Sequence, residues 1–181
     1  MKILIHDLDE NTCSQLLPKT SDKTIISQTK RVRPCVDCDD CWLKMPGDCP
    51  IQDDLKNIVR TLSTTEELIL VSKCVYGGPS PFVKMVLDRM RGYTMPFLDV
   101  EENVSRYRLR YKDRVDVCVY FYGKVSEEEK GTAKEFAERF ANTYGASSLK
   151  VFFAAEMEEL GELLNENSYD QRQSASYDPE K

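Results

Sequence analysis

Apolar residues fall in short blocks along this chain, and stretches of helical period separate the blocks. Residues 2–6 form a first apolar run, read as a buried strand. Asp9 caps a short helix over 9–17 that Pro18 stops, and β-branched residues mark a second strand at 24–27. Asp53 and Asp54 open a pattern with Leu55, Ile58, Val59 and Leu62 on one helical face. A continuous apolar strand covers 67–72, and Ser80 with Pro81 starts a helix that runs to about Arg91. Residues 93–112 read as irregular or as a hairpin-like insertion. A fourth buried strand covers 115–121, and Ser126 with Glu129 forms a capping-box signature for a helix ending near Tyr144 and Gly145. A strand at 149–154 and a helix at 157–164 close the pattern. Strands alternating with helices imply a parallel sheet covered on both faces, a three-layer α/β sandwich. Five strands suit the order 2-1-3-4-5.

Composition narrows the class. The 181 residues are 41% hydrophobic and 31% charged, which is globular rather than disordered. This gives one domain over 1–164 and a polar segment, 165–181, expected to be disordered. The net charge of −6 lies entirely in residues 156–181, which carry eight acids and two bases. The remaining body is neutral, so bulk attraction to nucleic acid is not expected. No apolar run approaches the roughly 20 residues of a membrane span, and the first apolar run is shorter than a signal-peptide core. A cytoplasmic protein without membrane contact is the expectation.

Seven cysteines in such a chain favour metal or redox chemistry over a disulfide framework. Four of them form the run Cys35-x2-Cys38-x2-Cys41-x7-Cys49, with Pro50 after the last. The first two spacings match an iron–sulfur run and the longer final gap departs from it; a [4Fe-4S] cluster on these four thiols is one reading. Unmetallated thiols packed in a loop are the other. Trp42, the only tryptophan, sits inside this loop and reads as a packing residue. His6, the only histidine, ends the first strand and offers no catalytic triad.

In parallel sheets of this kind, ligands bind beyond the carboxyl ends of the strands. Three loops qualify here, at 7–12, 74–80 and 122–126. In the second, Gly77 and Gly78 allow close backbone approach to a flat ligand and Tyr76 offers a stacking surface. A plain strand-to-helix turn is the competing reading. Arg106, Arg108, Arg110, Lys112 and Arg114 alternate strictly, which in a strand puts them on one face, read as the solvated face of a hairpin.

The text of residues 34–93 resembles the flavodoxin-like NAD(P)H-dependent FMN reductases and the related iron–sulfur flavoproteins. The resemblance rests on Pro34-Cys35 through Cys38, Cys41-Trp42, then Pro46-Gly47-Asp48-Cys49 and Asp53-Asp54. It continues in Val75-Tyr76-Gly77-Gly78-Pro79-Ser80 and in Lys84 with Asp88-Arg89. It implies a flavodoxin-like fold binding FMN, with Val75, Tyr76, Gly77 and Gly78 along the isoalloxazine ring and Tyr122 and Gly123 on its other side. Asn11 and Thr12 match the residues that follow the family's phosphate loop. That loop departs from the family, for it has no glycine and carries Asp7, Asp9 and Glu10. The implied activity is electron transfer from NAD(P)H through FMN to an acceptor, in a protein that can form homodimers. The alternatives are an iron–sulfur flavoprotein in electron transfer, and a cofactor-less flavodoxin-like binding domain.

Overall fold

A computed structural model describes residues 1–17, 23–101, 104–111 and 115–170. Pro18, Lys112, Arg114 and the segment 171–181 lie outside the described residues. The elements are β1 (Lys2–His6), α1 (Glu10–Leu16), β2 (Lys23–Ile26), α2 (Asp40–Leu43), α3 (Ile58–Leu62), β3 (Glu67–Lys73) and α4 (Pro81–Asp88). A 3-10 helix (Arg89–Tyr93) extends α4. Then come β4 (Thr94–Glu101), β5 (Val104–Leu109), β6 (Asp116–Tyr122), α5 (Glu127–Thr143), β7 (Ser148–Ala154) and α6 (Met157–Asp170).

Five strands form one parallel sheet in the order β2-β1-β3-β6-β7. Counted without the β4–β5 hairpin, this is the order expected from the sequence. Alternation along each strand feeds two cores. Ile3, Ile5, Leu68, Leu70, Val117 and Val119 face Val59, Leu62, Val86 and Ala137 of α3, α4 and α5. Leu4, Val71, Cys118 and Tyr120 face Leu160 and Leu164 of α6 on the opposite side. Tyr120 stacks on Phe152 at 5.0 Å and Phe121 on Phe153 at 5.7 Å, so both faces gain cross-strand aromatic pairs where β6 meets β7.

Local signals set most helix starts. The Ser80 hydroxyl accepts from Val83 N with Pro81 at the first position. Ser126 and Glu129 make the reciprocal capping box. Three expectations need correction. The helix expected from Asp53 begins at Ile58, because both aspartates turn back to hold another segment, as shown below. The helix expected to reach Arg91 ends at Asp88 and tightens into the 3-10 turn. The last helix continues past Leu164 to Asp170. Of the two readings of the segment after Tyr93, the hairpin holds: β4 and β5 pair antiparallel, with a register shift between Thr94 and Leu98. Among the described residues, no helix is long and apolar enough to cross a membrane.

Candidate functional site

The strand-end loops come first, since the fold aims them at one edge. Cys74 N donates to Tyr122 O, and Gly123 N donates to Ala154 O, so β3, β6 and β7 end side by side. Val75 and Gly78 close a tight turn with a bond in each direction. Its tip holds Tyr76 at φ 50°, leaving the side chain 91% exposed, and Gly77 at φ 75°. A Cβ on Gly77 would stand 2.6 Å from Thr132 Cβ on α5, so both the dihedral and the neighbour require glycine there. Val75, Tyr76, Gly77, Gly78, Tyr122 and Gly123 therefore share one edge of the sheet.

Asn11 and Thr12 sit at the start of α1 on the same edge, but their amides are taken. Asp9 Oδ1 accepts from both, at 3.0 Å each, and Asp9 Oδ2 accepts from Thr12 Oγ1 at 2.6 Å. The Thr12 hydroxyl and these amides hold the Asp9 carboxyl below the usual carboxylate range. Asp7 accepts from Lys73 N, and Tyr122 leans on Asp7, which together with burial pushes the phenol up. The donors that a phosphate would need are thus satisfied by carboxylates of the chain itself. An FMN phosphate does not fit this loop, since a like charge already occupies it. Removing the phosphate from the ligand should then cost nothing. We expect FMN and riboflavin to bind the purified protein with affinities within about threefold of each other, measured by quenching of flavin fluorescence. A large preference for FMN would show that a phosphate cradle exists.

The cysteine loop lies elsewhere, against α4 and the 3-10 helix. Cys35, Cys38, Cys41 and Cys49 all line one small cavity, together with Arg89 and Arg91. The thiols feel one another. Burial, then Cys49, Cys35 and Cys38, push Cys41 up to about 11. Burial also raises Cys35, against the pull of the Arg91 guanidinium. Among the described residues, no three His, Cys, Asp or Glu side chains converge closely enough to hold a single metal ion. A four-iron cube spreads its thiolates more widely, over the walls of a cavity rather than around a point.

Two arginines that sequence reasoning did not assign hold this loop. Arg89 has no exposed side-chain surface and forks onto Asp53 at 2.6 and 2.9 Å, while also donating to Arg33 O at 2.8 Å. Asp53 in turn accepts from the amides of Arg33 and Leu55, and Asp54 accepts from Arg31 N. The chain entering the cysteine loop is therefore bolted to the end of α4. Arg89 Nε has no well-formed hydrogen bond among the described residues and is fully buried. Cys49 lies beside the guanidinium, which with Asp53 favours its charged form against burial. Arg91 ion-pairs with Asp37 and Asp39, the residues on either side of Cys38, and lies 3.9 Å over the Trp42 ring. Trp42 donates to Arg91 O at 3.2 Å and packs on Tyr107 at 5.1 Å. It is a packing residue, as expected, and its contact is the hairpin.

Asp37 and Asp39 both have positive φ, 52° and 59°. Tyr76 is the remaining non-glycine residue of this kind among those described. Such conformations cost of order 1 kcal/mol each and gather at functional sites. Here they occur only in the cysteine loop and the glycine turn. An acidic run around clustered cysteines, followed by two arginines spaced by one residue, was the signal in the sequence that could have revealed these clamps.

The arginines of β5 and the one just beyond it divide. Arg108 pairs with Asp99 across the hairpin on the exposed side. Arg110 instead donates to Gly92 O and Thr94 O, ending the 3-10 helix, so the solvated face expected for this series does not include it.

No protein-family model matches the chain. An iron–sulfur flavoprotein of Methanocaldococcus jannaschii is 37% identical over 68 residues, which is 38% of this chain and 34% of the relative. The chain resembles the iron–sulfur flavoproteins. The match spans about a third of the curated relative's length. Among solved structures, the general stress protein 14 of Treponema denticola, in complex with FMN, superposes with a TM-score of 0.54 at 12% identity, covering 93% of this chain and 94% of that one. An NADH:FMN oxidoreductase in its apo form superposes at 0.51 and 14% identity, covering 98% and 91%. These likenesses show the fold, an α/β sandwich around a five-stranded parallel sheet of flavodoxin-like type.

Proposed function

We propose that the protein is a redox protein of iron–sulfur flavoprotein type, in which Cys35, Cys38, Cys41 and Cys49 hold a [4Fe-4S] cluster and serve electron transfer. The observation that supports this reading is the convergence of all four cysteines on one cavity whose wall includes Arg89, with Cys49 beside its guanidinium. When bound, such a cluster accepts and releases single electrons. The chain's own part is electrostatic. Arg91 opposes the burial that raises Cys35, and Arg89 lies beside Cys49, so the two arginines offset part of the cost of gathering ionised thiols in one cavity. Anaerobic purification with iron and acid-labile sulfide analysis tests it. Four of each per chain is the expected result, and absence of both after in vitro reconstitution would overturn it.

A second reading, an FMN-dependent oxidoreductase drawing electrons from NAD(P)H, draws support from the Tyr76-Gly77-Gly78 turn. That turn meets Tyr122 and Gly123 at the strand edge. The solved structures of similar fold include an FMN complex and an NADH:FMN oxidoreductase. Asp9 weighs against the phosphate half of that cofactor, since its carboxylate holds the Asn11 and Thr12 amides. A homodimer and a cytoplasmic location belong with either reading.

A further inference from the structure

A second cavity, of about 540 Å³, opens on the other side of the cysteine loop, between α4, the 3-10 helix and the last turns of α5. Its volume falls in the range of small-molecule sites, roughly 300–1,000 Å³. One wall is an aromatic ladder that α5 builds at intervals of four residues. Phe136 and Phe140 lie 6.4 Å apart, and Phe140 and Tyr144 lie 4.7 Å apart. The Tyr144 hydroxyl is spent on Leu87 O at 3.4 Å, so its ring lines the cavity without a free polar end. Trp42 and Tyr107 also line it, in contact with each other at 5.1 Å and with the Arg91 guanidinium over one face of Trp42. Lys84, Arg91 and Arg139 line the cavity; Lys84 pairs with Asp88 and Arg91 with Asp37 and Asp39, which leaves Arg139 as the cation with donors to spare. Arg139 is 78% exposed, and its bond to Glu135 occupies a single nitrogen, leaving donors for a ligand.

We infer that this cleft binds a flat aromatic anion, its rings against the α5 ladder and the Trp42–Tyr107 pair and its charged group toward Arg139. Aromatic walls select a planar ligand by offset and edge contacts, and the unspent N–H donors of Arg139 favour an anionic group at its edge. Cys35, Asp37, Asp88 and Arg91 line both this cleft and the cysteine cavity, so the ligand lies against the loop that carries the thiols. The inference goes beyond the proposed function and stands on the cleft alone, with or without a cluster.

Trp42 is the only tryptophan of the chain, so its fluorescence reports this cleft directly. Anthraquinone-2-sulfonate, titrated into the full-length protein, should quench it saturably, with a dissociation constant of roughly tens of micromolar for a ligand of this size. Thr143→Phe fills the cleft from the end of α5 and should weaken binding at least about tenfold. Arg139→Glu, at an exposed position, should weaken the anion about threefold and strengthen the planar cation proflavine by a similar factor. Linear, non-saturable quenching would overturn the inference. So would unchanged binding in Thr143→Phe with native circular dichroism, or tighter binding of proflavine than of the sulfonate by the unmutated protein. Iron and sulfide content, measured on the same samples, separates this result from the fate of the cluster.

Discussion

Asp53→Ala is expected to lower the unfolding free energy by about 3–5 kcal/mol, read as a shift in the urea midpoint, because it strands a buried guanidinium. The Arg89 and Asp53 side chains are 0% and 3% exposed, and the fork between them is the most enclosed ion pair described in the protein. Replacing both, as Asp53→Leu with Arg89→Met, should recover only part of the loss. The amides of Arg33 and Leu55 and the carbonyl of Arg33 would still lack their partners. The same pair gives stability a pH dependence. Burial alone would raise Asp53, but Arg89 and the Arg33 amide outweigh it and hold the carboxyl low. A carboxylate with a depressed folded pKa contributes stability above its unfolded value, near 3.9, and loses it as pH falls through the folded one. His6 acts in the same direction at a higher pH. Burial lowers its pKa, so the unfolded chain takes up the proton first and stability starts to fall below about pH 6.5. Urea midpoints should therefore decline in two stages on acidification, and Asp53→Ala should flatten the lower one.

Cys41→Ser is expected to reduce bound iron at least about tenfold after reconstitution, while Cys13→Ser and Cys74→Ser leave it unchanged. The three cysteines differ in place rather than in type. Cys41 is the thiol most strongly influenced by Cys35, Cys38 and Cys49. Cys13 lies in α1, 3.5 Å from His6 Nε2, and Cys74 leads into the glycine turn, so neither lines the cysteine cavity. A bound cluster also stabilises the fold by mass action, so loaded protein should melt higher than Cys41→Ser protein. Equal iron in all three variants would place the metal outside the loop.

The sequence announced those parts of the structure that depend on neighbours in the chain. The Ser126 capping box, the Ser80–Pro81 helix start and the buried runs of β1, β3 and β6 are local signals, and their elements follow them. The same text hid what depends on distant partners. Asp53 and Asp54 look like helix-opening acids, and tertiary bonds to Arg31, Arg33 and Arg89 take them for another purpose. Asp9 looked like a helix cap and also like an obstacle to phosphate, and one set of hydrogen bonds makes it both. The aromatic ladder was present as Phe136, Phe140 and Tyr144 at four-residue spacing. Its importance depends on Trp42 lining the same cavity, which no local pattern states.

The two arginine clamps differ in depth, and this gives the cysteine loop a direction of opening. The Asp53–Arg89 bolt is sealed from water, so releasing it costs about as much as unfolding the segment beneath it. The Arg91 pairs sit near the surface, with Asp37 76% exposed, where such contacts contribute little. Breathing motions should therefore lift the Asp37–Asp39 turn first and pivot the loop on its Arg33 end. Cys38 then acts as the latch of a door, swinging out while the hinge holds, so the cysteine cavity opens from that side first.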